Sequence, residues 1–308
     1  MATYLITQAT GTQSGETIKH LLKAGAKIHA LVRDPSKKLP SVLDHPSVKV
    51  FKGNSDNFDD VFHATRGCEG VFLNTFPIPG LEEAQARTIV EASRKAGVER
   101  IVASTTFFAG DRAMWDDDAT KAIPLLEGYF ERKALTEEVV RNGGFKSYTI
   151  LRPAFIHVDY FVPKFEHNYP ELAQGVLAHA FNDGIGMLHT DADDIGKYAA
   201  AAFQDPAKFG GQEIELGNEN LTVPEVQKIL SQASGKTVQT KKRTPDEAEA
   251  AAATVFAQKF HYWANAKADG FKALAAAAKD VQAKFGIPFT PMEKAMQRDK
   301  DQLINTLP

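Results

Sequence analysis

The sequence predicts an α/β protein: a doubly wound parallel sheet with a smaller, mostly helical C-terminal lobe. Three observations support this fold class. Strand-like and helix-like segments alternate through the first half of the chain with short connections. Glycines lie just past the ends of three of the predicted helices, at Gly25, Gly97 and Gly143–Gly144. After Pro153 the alternation gives way to aromatic, loop-rich sequence, which marks a second region.

The predicted elements of the first half follow from apolar periodicity. Six segments have the length and residue types of strands: 3–8, 27–32, 48–52, 70–75, 100–105 and 147–151. Four segments between them have helical periodicity: 14–24, 57–65, 81–96 and 125–142. Because crossovers between parallel strands are right-handed, a doubly wound Rossmann sheet is the simplest topology for this order.

The first motif is a short strand that runs through a small-residue turn directly into an amphipathic helix. The turn has the spacing Gln8-x-x-Gly11-x-x-Ser14-Gly15, so only the middle glycine of a G-x-x-G-x-x-G pattern is present. Small residues let the backbone approach a pyrophosphate, and the helix N-terminus offers free N–H groups. Taken alone, the turn is also typical of ordinary strand–helix packing.

The end of the second predicted strand favours the nucleotide interpretation. Arg33 lies about 20 residues past the turn, where a dinucleotide-binding unit contacts the adenosine ribose. An acidic residue there selects NAD, whereas arginine accommodates a 2′-phosphate and selects NADP. Lys37 and Lys38 add positive charge nearby, although a solvated basic cluster is the other interpretation. Together, the turn and Arg33 predict NADP binding.

The remaining sequence sets the domain boundaries. The predicted elements are a helix from about 193 to 203, a strand at Glu213–Leu216, a helix opened by a capping box at Thr222–Glu225, Ala-rich helices at about 246–260 and 266–285, and a last helix near 290–305. We place the NADP-binding Rossmann domain at residues 1–153, with 190–217 returning to it. The substrate-binding lobe then comprises 154–189 and 218–308.

One helix carries residues suited to proton transfer. Tyr129 and Lys133 lie at i and i+4, on one helical face. In such a pair the ammonium lowers the phenol pKa and holds the nicotinamide ribose, so that the phenol can donate a proton during hydride transfer. Thr105, or its neighbour Thr106, ends the fifth strand and is expected to hydrogen-bond the substrate oxygen. The same Tyr–Lys spacing also arises by chance as a surface pair.

Composition narrows the possible partners. The net charge of −3 gives no bias towards nucleic acid or anionic membranes. Cys68 is the only cysteine, and the histidines have no metal-binding spacing, so we predict neither a disulfide framework nor a metal site. The aspartates of Asp116–Asp118 are expected to be a solvated loop, with Trp115 beside them as a candidate pocket wall. Without a signal peptide or an apolar span, a cytoplasmic location is expected.

The ordered motifs resemble the NmrA-like, or isoflavone-reductase-like, branch of the atypical short-chain dehydrogenase/reductases. The resemblance covers about residues 1–240, and the final 60 residues share only their helical character. The motifs that carry it are, in order, Ala9–Gly15, Leu31–Pro35, Gly53, Gly70–Thr75, Lys133, Tyr148–Pro153, Asp194–Gly196 and Leu221–Val226.

The resemblance implies an NADP-binding domain with a smaller substrate lobe, and it implies roles for individual residues. The residues implied at the phosphates are Thr10, Gly11, Thr12, Gln13 and Ser14, with Arg33 and Lys38 at the 2′-phosphate. Those implied along the rest of the cofactor are Asn54 and Ser55 near the adenine, Thr75, Phe76 and Pro77 after the fourth strand, and Phe155 and Lys133 near the nicotinamide. Asn54 stands where the family more often has an acidic residue.

The resemblance leaves two functions open. One is an NADPH-dependent reductase that transfers a hydride to a C=O, C=C or C=N group of a small organic molecule. The alternative is a non-catalytic NADP(H)-sensing regulator that binds a protein partner, and a homodimer is also possible. Tyr129 restores a Tyr–Lys pair that many NmrA-like members lack. This residue favours the enzyme.

Overall fold

A computed structural model describes all 308 residues, with twelve strands and fourteen α-helices. The strands are β1 Thr3–Ile6, β2 Lys27–Val32, β3 Val48–Lys52, β4 Gly70–Leu73, β5 Arg100–Ser104, β6 Ser147–Arg152, β7 Phe155–Ile156, β8 Val176–His179, β9 Gly186–Thr190, β10 Gln212–Glu215, β11 Glu219–Thr222 and β12 Gln239–Lys242. The helices are α1 Thr12–Lys23, α2 Phe58–Thr65, α3 Leu81–Lys95, α4 Asp118–Lys121, α5 Leu126–Arg141, α6 Phe165–Asn168, α7 Ala192–Gln204, α8 Pro206–Phe209, α9 Val223–Ser234, α10 Pro245–Ala252, α11 Gln258–Ala266, α12 Ala268–Phe285, α13 Met292–Arg298 and α14 Lys300–Thr306. None of these helices has both the length and the apolar character that crossing a bilayer requires.

The main sheet has seven strands in the order β10-β6-β5-β4-β1-β2-β3. Every neighbouring pair among β1 to β6 is parallel. The order reverses between β1 and β4, because β2 and β3 extend the sheet on one side of β1 and β5 and β6 extend it beyond β4. The predicted doubly wound Rossmann fold is therefore confirmed.

Two consecutive residues of β1, Tyr4 and Leu5, show that helices cover both faces of the sheet. Leu5 is completely buried in a cluster that includes Val61 of α2 and Ile89 of α3. The preceding residue, Tyr4, packs against Phe203 of α7 instead, with ring centroids 4.5 Å apart. Since successive side chains of a strand point to opposite faces, α2 and α3 cover one face and α7 the other.

The chain divides into two compact units. The first comprises Met1–Gly110, Tyr129–Arg152 and Ala192–Ile214, and the second comprises Asp111–Gly128, Pro153–Asp191 and Glu215–Pro308. The sequence predicts that the Rossmann domain includes all of residues 1–153. In the structure, however, Asp111–Gly128 belongs to the second unit. The reason is its contacts there: Trp263 donates its indole N–H to the Met114 carbonyl at 2.8 Å, and Lys267 pairs with Asp117.

The second unit corrects several predictions. Besides its helices it contains a three-stranded sheet in the order β11-β9-β7 and a two-stranded sheet of β12 and β8, and the sequence did not predict these strands within the mostly helical lobe. The predicted helix 246–260 is two helices, α10 and α11, separated at residues 253–257, and the predicted helix 290–305 is interrupted at Asp299 between α13 and α14. The capping box of Thr222 and Glu225 at the start of α9 is confirmed.

Two helices of the first unit meet at a glycine. A Cβ added to Gly196 of α7 would lie 2.6 Å from the backbone of Glu16 in α1, too close for any side chain. We expect Gly196→Ala to destabilise the protein by about 1–3 kcal/mol, because the two helix backbones would have to separate. Gly15→Ala in α1 is the matched control, since no atom lies within 4 Å of its added Cβ. Urea unfolding measures both, and an unaffected Gly196→Ala variant would contradict the close packing.

The interior of the second unit holds three buried histidines with lowered pKa values, which are His157, His189 and His261. His157 is 1% exposed, and neither ring nitrogen has a hydrogen-bond partner, while Nε2 of the fully buried His189 lies 3.0 Å from the Tyr160 hydroxyl. Burial lowers the pKa of His157 to about 4 and that of His189 to about 3. Both rings are therefore uncharged in the folded protein near neutral pH.

We expect the lowered pKa values of these histidines to reduce the free energy of unfolding as the pH falls below about 6.5. Below pH about 6.5 the unfolded chain protonates its histidines while the folded rings stay neutral, so stability present above that pH is lost as pH falls towards 4. The loss approaches about 1.4 kcal/mol per pH unit for each histidine. Urea unfolding between pH 7 and pH 4 should give His157→Gln a shallower pH dependence than the wild type. The exposed His45→Gln should retain the wild-type slope, and identical slopes for all three proteins would refute the explanation.

Candidate functional site

The candidate site lies at the carboxyl ends of β1 and β4, where the strand order reverses. Ligands of open α/β sheets bind at such a point. Thr7, the residue after β1, donates its hydroxyl to the carbonyl oxygen of Phe72 or Asn74, at 3.0 and 3.1 Å, and accepts the Asn74 N–H at 3.0 Å. This side chain joins the two loops that leave the adjacent strands.

The turn after β1 has an unusual backbone. Gln8, which replaces the first glycine of the pattern, has φ +50°, in the left-handed region that favours glycine. Its carbonyl oxygen accepts the N–H of Gly11 at 2.8 Å, and a Cβ on Gly11 would lie only 3.1 Å from that oxygen. The glycine-type turn therefore forms although its first glycine is absent.

The N-terminus of α1 is open to an anion. No side chain caps Gly11, and no acidic residue lies in the first turn. The first N–H groups of a helix have no partner within the helix and carry the positive end of its dipole. Thr10 is exposed and Thr12 is half-buried beside these groups.

Two other residues predicted at the phosphates, Gln13 and Ser14, make side-chain hydrogen bonds within the protein. The Gln13 carboxamide oxygen accepts the Ser104 hydroxyl at 2.6 Å, which joins α1 to the end of β5. The Ser14 hydroxyl is buried and donates to the Thr7 carbonyl at 2.8 Å, so its side chain supports the turn from within. Only the backbone of Ser14 remains for the predicted contact.

The predicted 2′-phosphate residue lies beside another predicted cofactor residue. The exposed Arg33 guanidinium is 5.1 Å from the centroid of the half-buried Phe76 ring, within the range of a cation–π contact. Lys37 and Lys38 are exposed on the same connection. The structure thus brings together the residues that follow β2 and β4.

The other predicted adenine and loop residues differ in exposure. Asn54 is exposed, and its N–H donates to the Asp60 carboxylate at 2.9 Å, whereas Ser55 is buried. Pro77 is exposed after β4. Asp60 itself packs so closely that a Cβ on Gly53 would lie 2.6 Å from its Cβ, which explains the glycine at the end of β3.

A buried ion pair fixes Lys133. Its Nζ lies 2.7 Å from Oε1 of Glu82, in the first turn of α3, and the two side chains are 6% and 0% exposed. The same oxygen accepts the Thr75 hydroxyl at 3.0 Å, two residues past the end of β4. Lys133 is therefore held at the carboxyl edge of the sheet. Sequence reasoning missed Glu82, because a glutamate in the first turn of a helix ordinarily signals only helix-dipole stabilisation.

Tyr129 lies one helical turn before Lys133 and is half-buried. The Lys133 Nζ is 5.7 Å from the centroid of the phenol ring, and the ring packs edge-on against Phe130. The two side chains therefore lie near each other in the first unit, and the catalytic role of the Tyr–Lys pair stays a prediction.

Thr105 faces a different network from the one predicted. Its hydroxyl donates to Oε1 of Glu137 at 2.8 Å, and it is 5% exposed. The same carboxylate receives two hydrogen bonds from Arg152, at 2.8 and 2.6 Å. The buried carboxylate therefore holds this hydroxyl in the interior, and the contact of Thr105 with a substrate oxygen stays a prediction.

Candidate residues of the second unit are packed together. Phe155 in β7 is half-buried, with its ring 5.3 Å from Tyr160, 5.9 Å from Tyr169 and 5.9 Å from His189. Trp115, which we had considered as a pocket wall, is 1% exposed and lies in the interior instead. The Phe155 role stays a prediction.

Acidic groups in each of the two units have structural partners. Asp117 caps α4 through the Thr120 N–H, and the hydrogen bond from Lys267 lowers its pKa to about 2. Glu16, His20 and Asp193 bring three ligand-type atoms together within 4.8 Å. However, the ammonium groups of Lys19 and Lys197 already contact Asp193, each at 2.9 Å, so an ion-pair network accounts for this cluster.

Comparison with solved structures shows the same fold in three proteins. The negative transcriptional regulator Nmra, solved with NAD, superposes with a TM-score of 0.75 at 20% identity, over 100% of this chain and 98% of that one. An NADPH-dependent quinone oxidoreductase from Escherichia coli, solved with NADPH, gives 0.71 at 22% identity, over 96% and 99%. A triphenylmethane reductase from Citrobacter sp., solved with NADP(H), gives 0.68 at 23% identity, over 96% and 99%.

The family comparison agrees with the resemblance that the ordered motifs predict. The model of the NmrA-like family matches residues 2–294, nearly the whole chain. The predicted resemblance is therefore confirmed, and it extends beyond the 240 residues that the motifs covered. The chain belongs to the NmrA-like family.

Proposed function

We propose that the protein is an NADPH-dependent reductase that transfers a hydride to a C=O, C=C or C=N group of a small organic molecule. The observation that carries the proposal is the buried Lys133 ammonium at the carboxyl edge of the sheet, with Tyr129 one turn away. A regulator that only senses a nucleotide has no need of a proton donor beside a fixed cation. Two of the three similar structures are named as NADPH-dependent or NADP(H)-bound reductases.

The first unit fits a nicotinamide dinucleotide. The uncapped start of α1 offers N–H groups to a pyrophosphate, and no acidic residue opposes it there. Arg33 offers a planar guanidinium to a 2′-phosphate, a match that lysine makes less well. The similar structures were solved with NAD, NADPH and NADP(H), so Arg33 is what favours NADP.

The chain's own groups supply the rest of the chemistry. NADPH, when bound, supplies the hydride, which adds to the acceptor carbon. Lys133 would bind the ribose hydroxyls, and Tyr129 would give its proton to the oxygen or nitrogen of a C=O or C=N acceptor, or to the second carbon of a C=C acceptor, as the π bond opens. The nearby ammonium stabilises the phenolate that remains until solvent reprotonates it. Quinones and triphenylmethane dyes, the acceptors named for two of the similar proteins, are conjugated molecules of this kind.

Arg33 provides the test of cofactor choice. Isothermal titration calorimetry should show that the protein binds NADPH more tightly than NADH. Arg33→Ala should weaken NADPH binding about 10- to 100-fold, the cost of a lost charge-assisted phosphate contact, and leave NADH binding nearly unchanged. Arg87→Ala is the matched control, because this exposed arginine pairs with Glu83. Equal affinities, or an unchanged preference in Arg33→Ala, would remove the argument.

Tyr129 provides the test of catalysis. NADPH oxidation should be detected with at least one member of a panel of quinones, enones, imines and triphenylmethane dyes. Tyr129→Phe should lower kcat by about 10²–10⁴-fold with cofactor affinity nearly intact, while Lys133→Ala should reduce both. A protein that binds NADPH but turns over no acceptor would be the regulator instead. A silent Tyr129→Phe variant would exclude this phenol as the proton donor.

A further inference from the structure

The buried face of α3 carries two polar side chains that hold the loops of the candidate site. Glu82 is 0% exposed and Gln85 is 4% exposed, one turn apart. The Gln85 carboxamide oxygen accepts the Phe76 N–H at 3.0 Å and lies 3.5 Å from the Gln8 amide. Glu82 holds Thr75 and Lys133. The first two turns of this helix therefore contact the loops after β1 and β4 and two residues of α5, Lys133 and Arg132.

Glu82 is not needed to begin its helix. The next residue, Glu83, also lies in the first turn, is 41% exposed and pairs with Arg87 at 2.7 Å. It supplies a carboxylate at the positive end of the helix dipole without being buried. Burial of a second carboxylate has a large desolvation cost, which a partner must offset. The burial of Glu82 is therefore explained by the residues that it contacts.

The contacts of Glu82 are unequal between its two oxygens. Oε1 takes both Lys133 and Thr75, whereas Oε2 is buried with no hydrogen-bond partner and has Arg132 Nε at 3.7 Å. A lysine side chain loses considerable rotamer freedom when it is fixed, and a buried ammonium needs a countercharge. Glu82 provides both the restraint and the countercharge.

We infer that Glu82 is the positioning residue of Lys133. An ammonium has three N–H donors, and Glu82 occupies one of them, which leaves two for the ribose hydroxyls of the nicotinamide half. The carboxylate also keeps the ammonium in place before the cofactor arrives. This inference rests on the proposed function. It predicts that loss of Glu82 weakens contacts with the nicotinamide half alone, since Arg33 and the α1 turn serve the adenosine half.

The test separates the two halves of the cofactor. Calorimetry measures NADP⁺ and adenosine 2′,5′-bisphosphate, which lacks the nicotinamide ribose. Glu82→Gln should bind NADP⁺ about tenfold or more weakly, the cost of misplacing a charge-assisted donor, and should bind the bisphosphate within about twofold of the wild type. Glu83→Gln, the matched control on the same turn, should bind both probes as the wild type does. Arg33→Ala should instead weaken the binding of both probes, because both carry the 2′-phosphate.

Two further variants distinguish a general loss of stability in Glu82→Gln from a specific loss of cofactor binding. Glu82→Asp keeps the charge and should retain part of the NADP⁺ affinity that Glu82→Gln loses. The double variant Glu82→Gln/Lys133→Met removes the unpaired cation, so its unfolding temperature should recover while its NADP⁺ affinity stays low.

The outcomes are distinguishable. Unchanged NADP⁺ binding in Glu82→Gln, equal weakening of both probes, or recovered NADP⁺ affinity in the double variant would each overturn the inference and leave the proposed function standing. A wild-type protein that binds neither probe would instead overturn the proposed function, and the inference with it.

Discussion

The pairing of β1 with β4 is the constraint on which the candidate site depends. The two strands are parallel neighbours, but the chain leaves them towards helices that begin far apart in sequence, α1 at Thr12 and α3 at Leu81. Both loops must therefore begin at one edge of the sheet. Thr7 satisfies backbone groups of β4 and of the loop after it, which would otherwise be buried without partners. Every further contact between the two loops, including those through Glu82 and Gln85, requires this register.

Two residues one turn apart on α5, Lys133 and Glu137, belong to buried ion networks. The two networks differ in how completely the carboxylate oxygens are hydrogen-bonded. Glu137 receives a bidentate hydrogen bond from Arg152, and both of its oxygens are occupied. That arrangement satisfies the charges completely, as a structural network should. Glu82 instead concentrates its contacts with Lys133 and Thr75 on one oxygen and leaves the other without a hydrogen-bond partner. Since apolar residues of similar volume often give equal or greater stability than a buried ion pair, the pair of Glu82 with Lys133 is weak evidence for a stabilising role.

The sequence predicted the first unit well because its elements have strong local signals. Apolar runs and glycine stops locate β1 to β6 and their helices within a few residues. The strands of the second unit lack such signals: β12 reads Gln-Thr-Lys-Lys and is exposed throughout, and it exists only because it pairs with the distant β8. Glu82 and the orientation of Thr105 were missed for the same reason. Their burial depends on partners 51 and 32 residues away, which no local pattern encodes.

The turn at Gln8 shows what the dinucleotide motif requires physically. A non-glycine residue in the left-handed region costs about 1–2 kcal/mol, and Gln8 adopts it nonetheless. The cost is offset by the carbonyl hydrogen bond to Gly11 and by the position of the Gln8 amide beside Gln85. The requirement is thus a backbone conformation, for which glycine is the usual but not the necessary residue. A pattern search that requires the first glycine would miss this turn. The left-handed conformation of Gln8 and the uncapped start of α1 nonetheless preserve the backbone arrangement that the glycine usually provides.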